Sequence, residues 1–135
     1  IKNSKGTEMW GPSGAPVWST PTIDTKRQLL YIGVGQNYSH PANDLSDAVL
    51  AVKLSSGEIV WHYQTIKEDV WNAACVTNKV NCPGQYGPDM DIGASVILVN
   101  HKDGNDVLLV GQKSGMVYAL DPESAGAVLW KKRIG

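Results

Sequence analysis

The sequence predicts an all-β fold of two four-stranded antiparallel sheets, and three observations carry that prediction. Apolar residues recur at alternate positions in short runs, tight glycine- and serine-rich turns separate the runs, and one strand-turn-strand pattern occurs twice. Gly111 to Trp130, GQKSGMVYALDPESAGAVLW, holds a strand, a polar turn and a strand closed by tryptophan. Ala51 to Trp61, AVKLSSGEIVW, repeats the later part of that stretch with one residue fewer in the turn and Lys53 in place of Asp121. The two closing tryptophans lie 69 positions apart, an internal duplication of the kind that marks stacked units such as propeller blades.

Taken in order, residues 1–15 are polar and broken by Gly6, Gly11, Pro12 and Gly14, which predicts a lead-in loop. Residues 16–64 form the first expected blade, with strands at Pro16 to Asp24, Leu29 to Gly35, Asp47 to Leu54 and Glu58 to Gln64. Gln36 to Ser46 reads as a polar loop. In the fourth strand Ile59, Trp61 and Tyr63 share one face. Residues 65–93 are expected to be a long irregular excursion, a length that compact domains usually reserve for function or leave disordered. Residues 94–135 form the second expected blade, with strands at Ala94 to Asn100, Asp106 to Gly111, Gly115 to Asp121 and Ala127 to Lys132. No segment carries a helical period beyond a turn or two.

Two such sheets can close as a sandwich, facing each other, or stand as adjacent blades. The repeated tryptophan favours blades, because an indole at a fixed place on an outer strand can pack over the next unit. Two blades do not close a ring, so the chain is expected to self-associate or to sit beside further blades. Starting at Ile1 without Met and stopping five residues past Trp130, it is expected to be a segment of a longer polypeptide.

A net charge of -1 with no basic run gives no reason to expect nucleic acid or an anionic membrane surface as partner. No apolar run approaches the roughly 20 residues that cross a bilayer. Cys75 and Cys82 enclose the short loop VTNKVN within a region rich in Pro, Gly and Asn. Two readings stand, a local disulfide in an oxidising, extracytoplasmic compartment and a pair of free cytosolic thiols, with the bridge preferred. Their spacing makes a poor zinc site. His40, His62 and His101 are scattered without ligand spacing and read as structural or surface residues.

The ordered set GAPVWSTPTID, YIGVGQNYS, SDAVLAV, DVWNAAC, NCPGQYGPDMDIGA and GQKSGMVYALDP resembles the quinoprotein dehydrogenases, in the branch of the polyvinyl-alcohol dehydrogenase-like proteins. Their tryptophan-docking motif runs roughly AxDxxTGxxxW, matched by ALDPESAGAVLW with one insertion and by AVKLSSGEIVW with Lys53 for Asp. The resemblance implies an eight-bladed propeller that binds pyrroloquinoline quinone (PQQ) and calcium and oxidises a small-molecule or polymeric alcohol.

By that resemblance Trp18 is the indole that stacks on the quinone, or else blade core. Gln36 falls where relatives place an Asn that helps hold calcium; Asn37 could serve by a shift of one, and a polar turn with no ligand is the other reading. Lys113 matches the basic residue that contacts the quinone oxygens, where an ammonium stabilises developing negative charge. Two registers compete for the general base. The direct one puts Asn72 there, and an amide cannot take the alcohol proton. The other treats Val70 to Gly87 as an insertion, making Asp89 the base with Asp91 beside it at the cofactor, and is preferred for its spacing to Lys113. Asp69 reads as a turn cap in preference to a substrate-orienting residue. Gln36, Asn72 and Lys53 depart from the family pattern, so a propeller that has lost the cofactor and serves as a scaffold or binding module is the alternative.

Overall fold

The computed structural model describes residues 1–135, and its regular structure is almost entirely β. The first sheet joins β2 (Thr22–Asp24), β3 (Leu29–Gly33), β5 (Ala48–Lys53) and β6 (Ile59–Gln64) in that order. The second joins β7 (Ile97–Val99), β8 (Val107–Gly111), β9 (Met116–Asp121) and β10 (Ala127–Arg133), again with neighbours antiparallel. A two-stranded ribbon of β1 (Ser13–Gly14) and β4 (Asn37–Ser39) stands apart, and Ala73–Val76 make one 3₁₀ turn.

Several strands are shorter than the sequence pattern suggests. Pro16 and Pro21 bring no N–H to a ladder, so pairing begins only at Thr22 and the segment carrying Trp18 leaves the sheet. The expected polar loop after β3 contains β4, which pairs with the expected lead-in loop through Ser13 and Ser39, their hydroxyls 2.7 Å apart. Residues 65–93 are not loose, since Val70, Cys75, Cys82 and Ile92 are buried and Val70 bridges Asn37 in parallel.

Alternation along the strands builds the core. Tyr31, Val49 and Ala51 point from the first sheet, and Leu108, Val110, Tyr118 and Leu120 from the second, into one shared cluster completed by Ile92 and Val96. The opposite face of the first sheet holds Val34, Ala48 and Leu50. The two sheets thus pack face against face through this cluster, as successive blades do. What marks them as successive blades is the pairing of equivalent parts. The leading strands β2 and β7 touch, while Trp61 on the trailing strand β6 reaches the β9–β10 turn at Gly126. A buried ion cluster ties the same two units together: Arg27, after β2, bonds Asp24 and Asp106 at 2.8 Å each and Glu123 at 2.5 Å.

Candidate functional site

A cleft of about 640 Å³ opens where the segment before β2, the loop after β6 and the β8–β9 turn converge. Trp18, Gln36, Asp89, Asp91 and Lys113 all line it, together with Tyr38, Trp71 and Asn72. A second, smaller cleft shares Trp18, Asp91 and Lys113, so the indole stands between the two.

Trp18 is 62% exposed and lies over Gly93, where an added methyl would come within 2.3 Å of the ring. Freed from the sheet by its prolines, the indole offers a flat apolar surface to the cleft. Lys113 sits in the turn between β8 and β9, and its backbone N–H donates to the Asp91 carbonyl at 3.0 Å. Its ammonium forms a close ion pair with Asp89, stands 3.9 Å from Asp91 and lies 5.9 Å from the centre of the Trp71 ring. The hydrogen bond to Asp89 raises the lysine above its ordinary value. Asp91 is buried, which pushes its carboxyl up, while its Oδ1 accepts the Gln36 backbone N–H at 3.2 Å.

Gln36 donates through Nε2 to the Trp71 carbonyl at 3.3 Å, and its buried Oε1 has no partner. Asn37 is spent on structure, accepting from Asn43 N at 2.9 Å and donating to Ser13 O at 3.4 Å. Asn72 borders the cleft but caps the 3₁₀ turn, its Oδ1 accepting from Ala74 N at 2.9 Å and its Nδ2 donating to Tyr38 and Asn81 carbonyls. Asp69 is fully buried and accepts from the Asp89 and Met90 backbone. The histidines stay out of the cleft: His40 contacts the Gln85 carbonyl, His62 is 3.6 Å from Asp44, and His101 is exposed. Cys75 and Cys82 are bonded to each other, stapling the loop that carries Trp71 and Asn72.

The sequence carries no signal that singles out Trp71, whereas Tyr38 is legible from alternation, because Asn37 and Ser39 turn inward and leave it facing out. Asp47 was hidden too. It is fully buried, both carboxylate oxygens lack partners, and burial with Asp69, Asp91 and Asp89 nearby pushes its carboxyl up to about 8.

A planar, multiply acidic quinone fits this arrangement: an indole surface lying over Gly93, a cation at the rim, and a cleft of suitable size. Calcium fits less well. It takes six to eight oxygens, whereas this chain offers the unpaired Gln36 Oε1 beside two carboxylates that face Lys113. No three of its His, Cys, Asp or Glu side chains form a metal-binding group.

Residues 2–81 match the family model described as the PQQ glucose/ethanol/alcohol dehydrogenase β-propeller domain. The chain is 42% identical over 98% of its length to a polyvinylalcohol dehydrogenase of Sphingopyxis sp. (strain 113P3), covering 21% of that protein. It is equally similar, 42% over 98%, to a polyvinylalcohol dehydrogenase of Pseudomonas sp., covering 20% of it. Among solved structures, a quinohemoprotein alcohol dehydrogenase of Pseudomonas putida HK5 superposes with a TM-score of 0.65 at 28% identity, over 90% of this chain and 17% of that one. The chain thus spans about a fifth of the curated relatives it matches.

Proposed function

Because this chain belongs to the PQQ β-propeller family of glucose, ethanol and alcohol dehydrogenases, we propose that its cleft is one wall of a quinone pocket in which an alcohol is oxidised. The observation that carries this reading is the convergence of Trp18, Asp89 and Lys113, from three distant parts of the sequence, on one cleft.

When bound, PQQ would accept the hydride of the alcohol; the remaining work falls to side chains of this chain. Trp18 gives the ring system an apolar floor, which buries area without needing hydrogen bonds. Lys113 sets a positive charge against oxygen that gains negative charge during transfer. Asp89, held beside that ammonium, accepts the alcohol proton on a carboxylate oxygen. Trp71 sets its ring 5.9 Å from the Lys113 ammonium and adds a cation–π attraction that helps hold the charge at the cleft. No step is assigned to calcium.

The substrate is an alcohol, and the likeness to polyvinylalcohol dehydrogenases supports a polymeric one. The protein works outside the cytoplasm, a reading supported by the Cys75–Cys82 bridge. Further blades complete the pocket. Trp130 is 49% exposed and Gly57, the counterpart of Gly126, has nothing near it, so the two halves of another docking contact lie open. By itself the 135-residue chain is expected to be inactive.

The test is quinone binding by the intact protein, followed by dye reduction with secondary alcohols. Lys113→Ala is expected to lower turnover by ~10²-fold or more, the scale of losing one charge-stabilising group. A second reading, a scaffold propeller without redox chemistry, draws on Asn72, which occupies the direct-register base position and is committed to capping. Absence of quinone binding in the intact protein would leave that reading in place.

A further inference from the structure

Asp89 owes its place to a residue the chemistry does not touch. Its backbone is left-handed, with φ at 61°, a conformation that aspartate tolerates better than most residues but that still costs energy which neighbouring contacts must offset. The holding group is Asp69, twenty residues earlier and fully buried. Its Oδ1 accepts the Asp89 N–H at 3.1 Å and its Oδ2 accepts the Met90 N–H at 2.8 Å, so one carboxylate grips two successive amides.

The grip is closely built. A methyl on Gly87 would fall 2.3 Å from Asp69 Oδ1 and 2.7 Å from its Cα, so the chain passes over the carboxylate with only hydrogen between them. Gly87 N also donates to the Val70 carbonyl at 3.0 Å, and Asn37 N donates to the Asp69 carbonyl at 3.1 Å. These contacts fix Asp69 to both the β4 ribbon and the loop it organises. From Asp89 the chain of contacts continues to the ion pair with Lys113.

We propose that Asp69 is a positioning residue: by fixing the left-handed backbone at Asp89, its buried carboxylate sets where the Lys113 ammonium stands in the cleft. Asparagine has the same shape but cannot do this, because its amide has one acceptor oxygen and would turn an N–H₂ toward the second amide. The importance of Lys113 and Asp89 rests on the quinone reading above; the placement of one by the other through Asp69 does not.

The experiment follows the titration of Lys113 by NMR in intact protein carrying ¹³C-lysine, the signal assigned through Lys113→Arg. In the unsubstituted protein the midpoint should lie above that of an ordinary lysine. Asp89→Asn should lower it by roughly half a pH unit or more, Asp69→Asn should lower it similarly, and the double variant should fall no further. Asp69→Ala removes both acceptors and should match; if it does not fold, Asp69→Asn carries the test. A Lys113 midpoint that drops in Asp89→Asn and stays put in Asp69→Asn overturns the proposal. A PQQ titration of the unsubstituted protein separates the two readings. Failure to bind quinone with the Lys113 shift intact sinks the quinone pocket alone, and binding with no Asp69 effect sinks the positioning role alone.

Discussion

The Trp61 indole lies on Gly126: a methyl added at that glycine would sit 2.6 Å from ring atom Cζ3. Gly57 holds the equivalent place in the first copy of the repeat, with a similar backbone (φ 76° against 75°) and nothing within 4 Å. Gly126→Ala should therefore cost ~2–4 kcal/mol, the sum of a strained φ and an overpacked contact, and Gly57→Ala only ~1 kcal/mol from φ. Urea unfolding of the two variants side by side measures the difference. Equal losses would mean that the indole gives way and that the contact does not latch the blades.

Arg27 makes a second tie between the sheets, and one of a different kind. Its guanidinium, nearly buried, bonds Asp24 and Asp106 and reaches Glu123, while Tyr31 donates its hydroxyl to Asp24 at 3.0 Å. Burial alone would raise the Asp24 carboxyl, yet the bonds from Arg27 hold it below its ordinary value. Arg27→Met leaves the buried Asp24 charged without its cation, while Lys26 still pairs with Asp106 at 3.0 Å, so a loss of ~3 kcal/mol is expected. Calorimetry at neutral pH reads it, and a change under ~1 kcal/mol would show that the cluster contributes little net energy.

The blade framework was legible because its signals are local: the short continuous apolar runs VLAV and VLLV, a serine-containing turn ending in glycine, and Trp61 and Trp130 at matching places. The strand ends were less so. Pro16 and Pro21 stop the ladder from being built early, a constraint visible in the sequence, whereas the β1–β4 ribbon depends on a hydroxyl contact between Ser13 and Ser39 across 26 residues that no periodicity announces. The cleft residues Trp18, Gln36, Asp89, Asp91 and Lys113 were found through resemblance, since each alone is an ordinary side chain in a turn. Asp47 stayed hidden because an aspartate opening a strand looks like any turn residue until its burial is known.

Trp18 over Gly93 allows a test of the quinone floor that leaves the indole in place. Gly93→Ala would set a methyl 2.3 Å from Cη2 and 2.4 Å from Cζ2, tilting the ring. Because Trp18 is largely exposed it can swing clear, and stability should change by less than ~1 kcal/mol. Quinone affinity in the intact protein should fall ~10-fold, equivalent to ~1.4 kcal/mol. Fluorescence quenching by added PQQ follows this directly. An unchanged titration would remove Trp18 from the floor of the pocket.

Asp47 gives the fold a dependence on pH with a definite sign. Its carboxyl rises from an ordinary 3.8 to about 8 on folding, since burial and the nearby carboxylates of Asp69, Asp91 and Asp89 disfavour the charged form. Between those two values the folded chain keeps a proton that the unfolded chain has released, so raising the pH favours unfolding. The neutral acid's contribution is complete below 3.8 and gone by about 8. Asp47→Asn keeps the volume without the titration, so at pH 8 it should be more stable than the unsubstituted protein by ~1–3 kcal/mol, a discounted share of the 1.4 kcal/mol per pH unit that linkage allows. Near pH 4 the two should converge, because both then carry an uncharged group. Parallel stability curves from urea melts across that range would mean that the Asp47 carboxylate finds a partner when it ionises, and that the orphaned oxygens do not govern its charge.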